Sequence, residues 1–146
     1  MATQNLTRKN RFNEKRKVAV FTAELDYENL LNTSGDIYQL FQLPKNSLVT
    51  HASAIVQTAF DSATSASLDL GFAGDDTLID GADLTSAAGT ELSGGTNVVV
   101  PAIKQTGGIV TAVPTYTGAT TTGKILVRIE YIEYNKVTGE LTEYVD

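Results

Sequence analysis

An acidic loop at residues 75–83 holds the densest group of possible ligands in the 146-residue sequence. Its four carboxylates belong to Asp75, Asp76, Asp80 and Asp83. Hard cations such as Ca²⁺ bind several oxygen ligands from one flexible loop. The spacing lacks the alternating acids and the sixth-position glycine of an EF-hand loop, and aspartates also shape solvated turns. We therefore expect no metal and no cofactor, with an ion held by this loop as the alternative.

His51 is the only histidine of the chain, and no carboxylate lies beside it in the sequence. General-base or triad chemistry needs a nearby nucleophile or carboxylate, whereas His51 falls on the polar side of a predicted strand. Glu130 and Glu133 resemble a glycosidase pair, but three positions apart in a strand they face opposite sides. Cysteine is absent, as are a nucleophile elbow, a P-loop and a dinucleotide motif. The sequence therefore predicts a protein that is not an enzyme.

The charges of the chain are divided between a basic arm and an acidic body. Residues 1–17 carry six bases and one acid, whereas residues 18–146 carry five bases and sixteen acids. With Leu6 and Phe12 as nearly its only apolar residues, the arm cannot bury enough surface to fold alone. We predict that it binds a partner through Arg8, Lys9, Arg11, Lys15, Arg16 and Lys17. An ordinary solvated basic tail is the alternative.

The partner of this arm is better predicted as a protein than as a specific nucleic acid. Nucleic-acid binders combine basic grooves with several stacking aromatic rings, and the arm has only Phe12. Non-specific phosphate contact explains the charges as well as docking on an acidic protein surface does. No apolar run approaches the length of a membrane span, so we expect no membrane partner.

Alternating apolar residues predict an all-β fold, a β-sandwich or jelly-roll-like domain over residues 18–146 that follows an extended basic arm over residues 1–17. In residues 48–60 the apolar parity holds Leu48, Ala52 and Val56, with Val49 and Ile55 as exceptions. Residues 65–71 are expected to return as its hairpin partner. The other predicted strands are residues 17–26, 36–43, 97–103, 109–117, 124–135 and 140–145, with residues 77–90 as a loop. The predicted core is Phe21, Leu25, Val56, Phe60, Leu68, Leu70, Val99, Ile125, Val127 and Ile129.

The order of segments in residues 43–133 resembles small virion structural proteins of tailed bacteriophages, the kind that decorate or cement a capsid. LPKNSLV leads into a long strand ending TAFD, which SATSASLDLG follows. An Asp-rich loop then contains ADLTSAAGT, and the last strand is ILVRIEYIE. The resemblance implies a virion protein, made in the host cytoplasm, that binds the outside of the capsid and stabilises it.

The same resemblance implies the partners. The major capsid protein would receive the body and the basic arm, and the protein would be a homo-oligomer such as a trimer. Residues 84–123 contain one acid and one base, so burying them between subunits would remove almost no charge from water. The alternative function is a receptor- or glycan-binding β-sandwich module of a phage head fibre or tail, which predicts an exposed aromatic pocket.

Overall fold

The computed structural model describes residues 18–30, 35–62 and 64–133. Within these ranges the chain forms nine β-strands, and no helix there is long and apolar enough to cross a membrane. The strands are β1 (Ala19–Asp26), β2 (Tyr38–Leu43), β3 (Ser47–Thr58), β4 (Ser65–Phe72), β5 (Ile79–Asp83), β6 (Glu91–Leu92), β7 (Ala102–Lys104), β8 (Gly108–Thr117) and β9 (Lys124–Glu133). The predicted arm and the predicted strand at residues 140–145 lie outside the described residues.

Two antiparallel sheets form a β-sandwich, which confirms the predicted fold class. The front sheet has the order β1-β9-β3-β6, and β7 also pairs with β3. The back sheet has the order β2-β8-β4-β5. Strand β9 is central, because β1 pairs with it from Lys124 to Tyr131 and β3 pairs along its other edge. The most strongly alternating strand of the sequence therefore lies in the middle of the front sheet.

The core lies between the two sheets, where their inward-facing residues interdigitate. Ile125, Val127 and Ile129 of β9 are fully buried, and Leu68 and Leu70 of β4 face them from the back sheet. Val56 and Phe60 are also buried, as predicted. Phe21 and Leu25 are only partly buried, because β1 is the last described strand at its edge of the front sheet. The Phe21 ring stacks on Phe41 of β2, with 4.3 Å between ring centroids.

A β-bulge at Thr50 breaks the single alternation that the sequence predicted for β3. The register runs from Val49 opposite Tyr131 to His51 opposite Glu130, so Thr50 is an extra residue. Val49, an exception in the predicted pattern, is fully buried, whereas Leu48 faces outward and is only partly buried. The sequence gives no sign of the bulge, because an inserted residue changes parity without changing composition.

The predicted hairpin of residues 48–60 and 65–71 is wrong. Strand β3 belongs to the front sheet and β4 to the back sheet, so the chain passes from one sheet to the other between Thr58 and Ser65. The loop predicted at residues 77–90 contains β5, which pairs with β4. The strand predicted at residues 97–103 is reduced to the three residues of β7. Val99 therefore lies outside the core and is 60% exposed, which corrects its predicted burial.

Pro114 lies within β8, a central strand, at a position where the missing N–H costs no ladder bond. The pairing of β8 with β2 ends at Ala112, opposite Tyr38. The carbonyl of Pro114 accepts the N–H of Gly35 at 2.8 Å, on the side away from β4. Pro114 therefore has the surroundings of an edge residue on this side, although β8 itself is a central strand.

Candidate interaction surface

The aspartates of the acidic loop bind the protein's own backbone. Asp75 accepts the N–H groups of Phe72 and Thr77 at 2.7 and 3.2 Å, and Asp80 accepts those of Thr96 and Asn97 at 3.0 and 3.1 Å. Burial acts to raise the pKa of Asp75, but the hydrogen bonds from Phe72 and Thr77 lower it below its ordinary value. These carboxylates shape turns, the role that the sequence favoured over ion binding.

The remaining loop aspartates follow the same pattern. Asp83 accepts the N–H and the hydroxyl of Thr85 at 2.9 and 2.6 Å, and Asp76 accepts the side-chain amide of Asn97 at 2.9 Å. Across the part of the chain that the structure describes, no three histidine or acidic side chains converge on a possible metal position. The carboxylates of this loop therefore hold backbone turns.

The outward side of the front sheet carries three charged pairs. His51 Nε2 lies 2.9 Å from Glu91 Oε1, Lys124 Nζ lies 2.7 Å from Glu24, and Arg128 pairs with Glu130 at 2.5 Å. Each pair is partly exposed, so it contributes little to stability on its own. Together the pairs place alternating charges across β1, β9, β3 and β6, which makes this half of the face polar and almost neutral.

The electrostatics of the pairs follow from their hydrogen bonds. The hydrogen bond with His51, followed by the nearby hydroxyl of Ser53, lowers the pKa of Glu91. The hydrogen bond from Lys124, followed by that from Gln57, lowers the pKa of Glu24. Both carboxylates therefore stay ionised to a lower pH than an unpaired glutamate does.

The hydroxyl of Ser53 lies near the His51–Glu91 pair, but Ser53 is fully buried. The Nε2 atom that contacts Glu91 is directed at the carboxylate and not at a hydroxyl group. This arrangement positions charge and does not assemble a nucleophile, a base and an exposed substrate site, so the pair fits a contact surface better than an acyl-transfer site.

At the other end of the same face the outward side chains are apolar. Leu48 of β3 pairs with Ile132 of β9 and with Ile103 of β7, so these three side chains share one side of the sheet. Continuing the β1 register by one residue brings Val18 opposite Ile132. We call these four residues, Val18, Ile132, Leu48 and Ile103, the apolar row. Ile103 is 64% exposed and Val18 is 54% exposed.

The structure and the sequence locate different parts of the candidate surface. Arg8, Lys9, Arg11, Lys15, Arg16 and Lys17, the predicted partner-binding residues, lie outside the described residues. His51 was expected on the polar side of β3 and is found there, but its partner Glu91 lies 40 positions away and could not be inferred. The apolar row was missed because the bulge at Thr50 turns Leu48 outward. Only the strand register reveals it.

Comparison with known proteins shows what this architecture is similar to. No protein-family model matches the sequence, and no curated protein matches it significantly. Among solved structures, a chain of the cyanophage Pam1 capsid asymmetric unit matches with a TM-score of 0.62 and 18% identity, over 82% of this chain and 86% of that one. A chain of the acidic stable capsid structure of Helicobacter pylori bacteriophage KHP30 matches with a TM-score of 0.56 and 14% identity, over 80% and 92%. The fold is that of chains found in two phage capsids.

Proposed function

We propose that this chain is a virion structural protein that binds the outside of a phage capsid and stabilises it, as a decoration or cement protein. The observation that carries the proposal is the shared fold. Two chains from phage capsids match the present one over most of their own lengths, so the likeness covers whole small subunits and not a domain inside a larger protein. The resemblance of residues 43–133 to such proteins, drawn from the sequence, supports the same role.

The charge distribution supports a role in docking. The described residues contain four bases and thirteen acids, a net charge of −9, whereas residues 1–17 contain six bases and one acid. An acidic body keeps copies soluble and apart, and a basic arm is attracted to a partner of opposite charge. In this proposal the arm reaches over or between subunits of the major capsid protein and anchors the body there.

A structural role also fits the side-chain chemistry of the described residues. The carboxylates of the acidic loop bind the backbone, His51 is paired with Glu91, and the hydroxyl of Ser53 is buried. Nothing in this arrangement requires a substrate. We infer that the protein acts by binding and not by catalysis.

The alternative, a glycan- or receptor-binding module of a head fibre or tail, receives less support. A glycan-binding module of this kind needs an exposed aromatic ring on which the sugar can stack. None of the described aromatic side chains is exposed. Tyr116, the only aromatic residue between Phe72 and Tyr131, stacks on Phe60, with 6.2 Å between ring centroids.

The arm is the part of the proposal that is simplest to test. Deleting residues 1–17 removes almost no apolar surface, so the melting temperature of the body should be unchanged. Binding to particles that lack the protein should weaken, and the difference should shrink at about 1 M salt, where the Debye length is about 3 Å. Cosedimentation with such particles, alongside circular dichroism melts, measures both effects.

A second variant separates charge from chain length in this experiment. Replacing Arg8, Lys9, Arg11, Lys15, Arg16 and Lys17 by glutamine keeps the arm at full length without its charge. We expect this variant to bind as weakly as the deletion. Full-strength binding by both variants would contradict anchoring by the arm.

A further inference from the structure

Residues 89–99 run along the edges of both sheets on one side of the sandwich, and we call this segment the strap. At the front sheet it bonds the edge of β3. The N–H of Val56 donates to the carbonyl of Thr90 at 2.9 Å, and the N–H of Gly89 donates to the carbonyl of Val56 at 2.7 Å. Strand β6, which lies within the strap, pairs with the same edge. The strap therefore closes the edge of β3 beyond the part that β7 covers.

The same segment then passes to the back sheet. The N–H of Asp80 in β5 donates to the carbonyl of Gly94 at 3.0 Å, and the N–H of Val99 donates to the carbonyl of Thr77, just before β5, at 2.8 Å. Strand β5 pairs with β4 on its other side. An unpaired strand edge is a template for pairing with another chain. One short segment therefore covers such an edge in each of the two sheets.

Polar side chains hold the strap at both sheets. At the back sheet, the Asp80 carboxylate accepts the N–H groups of Thr96 and Asn97 at 3.0 and 3.1 Å. At the front sheet, Glu91 Oε1 lies 2.9 Å from His51 Nε2. The side chains in both attachments are at least partly exposed to water. The strap is therefore attached by polar contacts at one place on each sheet.

The strap contributes little to the core between these attachments. None of residues 89–99 is buried, and Leu92 is only partly buried against the core. In β9, by contrast, Ile125, Val127 and Ile129 are fully buried. Segments with few buried apolar contacts and exposed backbone hydrogen bonds open locally at a lower free energy than the core does. The strap has both properties.

We propose that the strap is a cover for the edges of β3 and β5, and that it opens as one unit while the rest of the sandwich stays folded. Closed, it keeps both edges from pairing with another chain. Open, it leaves both edges available at once, because the front and back attachments belong to the same short segment. The inference concerns the free protein and does not rest on the proposed function.

Hydrogen exchange of the backbone amides in the full-length protein tests this cover. Val56 reports the front attachment, Val99 reports the back attachment, and the amides of β9 report global unfolding. Where exchange follows the opening equilibrium, Val56 and Val99 should share one opening constant, about tenfold or more above that of β9. Equal protection of all three would mean that the strap opens only with the whole fold, which would overturn the inference.

An Asp80→Ala variant tests whether the two attachments open together. It removes the carboxylate that holds Thr96 and Asn97 at the back sheet, so exchange at Val99 should accelerate about tenfold or more. Exchange at Val56, on the other sheet, should accelerate by the same factor if the strap is one unit. Faster exchange at Val99 with no change at Val56 would mean two independent covers and would overturn the inference.

Asp61→Ala is the matched control. Asp61 also holds two backbone N–H groups, those of Thr121 and Thr122, but these lie outside the strap. The variant should accelerate exchange in β9, through global unfolding, and leave Val56 and Val99 unchanged. Acceleration of Val56 and Val99 by the same factor as β9 would contradict local opening.

His51→Ala gives the reciprocal test from the front sheet. The substitution removes the partner of Glu91 at an exposed position, so the core stays intact. Exposed ion pairs contribute little, so exchange at Val56 should accelerate only about twofold to fivefold. Exchange at Val99 should accelerate by the same factor. Acceleration confined to Val56 would show that the front attachment opens alone, and the strap would not be a single cover.

Discussion

At the scale of single residues, aspartates organise the irregular parts of this fold. Asp61 is the clearest case: it accepts the N–H groups of Thr121 and Thr122 at 2.7 and 2.9 Å and the hydroxyl of Thr121 at 2.5 Å. It thereby fixes residues 118–123, a segment without regular structure. The hydroxyl of Thr121, followed by the two N–H groups, lowers the pKa of Asp61 to about 2.

This lowered pKa predicts a pH dependence of stability. Because the pKa is below its ordinary value of 3.8, ionised Asp61 stabilises the folded state above about pH 4, and the contribution is lost as the pH falls towards 2. Asp61→Asn should therefore lower the melting temperature near neutral pH, and the gap to the unsubstituted protein should close between pH 4 and pH 2. Thermal melts across this range measure the gap. A gap that is the same at pH 2 and pH 6 would contradict the role given to the carboxylate.

The sequence predicts that these aspartates shape turns, but it does not predict which residues they contact. Asp and Gly together indicate turns, and the loop at residues 75–83 does form turns. The partners could not be predicted, because Asp61 contacts residues 60 positions away and Asp80 contacts residues 16 and 17 positions away. Such contacts depend on how the two sheets are placed, and local composition does not record that placement.

At the scale of elements, strand periodicity identified the centre of each sheet better than its margins. Strands β8 and β9 lie where the sequence predicted them, because long alternating stretches of β-branched residues are specific to strands. Short strands such as β6, with two residues, have too few positions to show a period. The predicted inward and outward faces of β3 were exchanged before the bulge at Thr50. The predicted pairing of β3 with β4 was wrong because, in sequence, a connection between two sheets looks like a hairpin turn.

Two isoleucines on opposite sides of the front sheet test the assigned parity. Ile129 of β9 is fully buried, and Ile103 of β7 is 64% exposed. Ile129→Ala should lower the free energy of unfolding by about 2 to 5 kcal/mol, since it leaves a cavity between the sheets. Ile103→Ala should change it by less than about 0.5 kcal/mol, as exposed positions do. Urea denaturation of the two variants gives both values, and equal losses would mean that the faces are assigned incorrectly.

At the scale of the whole molecule, the front and back sheets have different surfaces. The outward side of the front sheet has charged pairs at one end and the apolar row at the other, next to the residue where the basic arm joins the body. Sequence analysis predicted the division into a basic arm and an acidic body, because charge is a property of composition. It could not place the row, which exists only when residues from β3, β7 and β9 are aligned by pairing.

The charge of the body fits the proposed function. A protein that stabilises a shell must contact it on one side and present a soluble surface on the other. The net charge of −9 over the described residues suits the side that faces solvent. Particles made without the protein should then assemble and should lose their contents more readily on heating.

An electron-microscopy reconstruction of intact particles that contain this protein tests the central claim most directly. We predict density for the two-sheet body on the outer surface of the shell. Body density confined to a tail or a fibre, with none on the outside of the shell, would contradict the account.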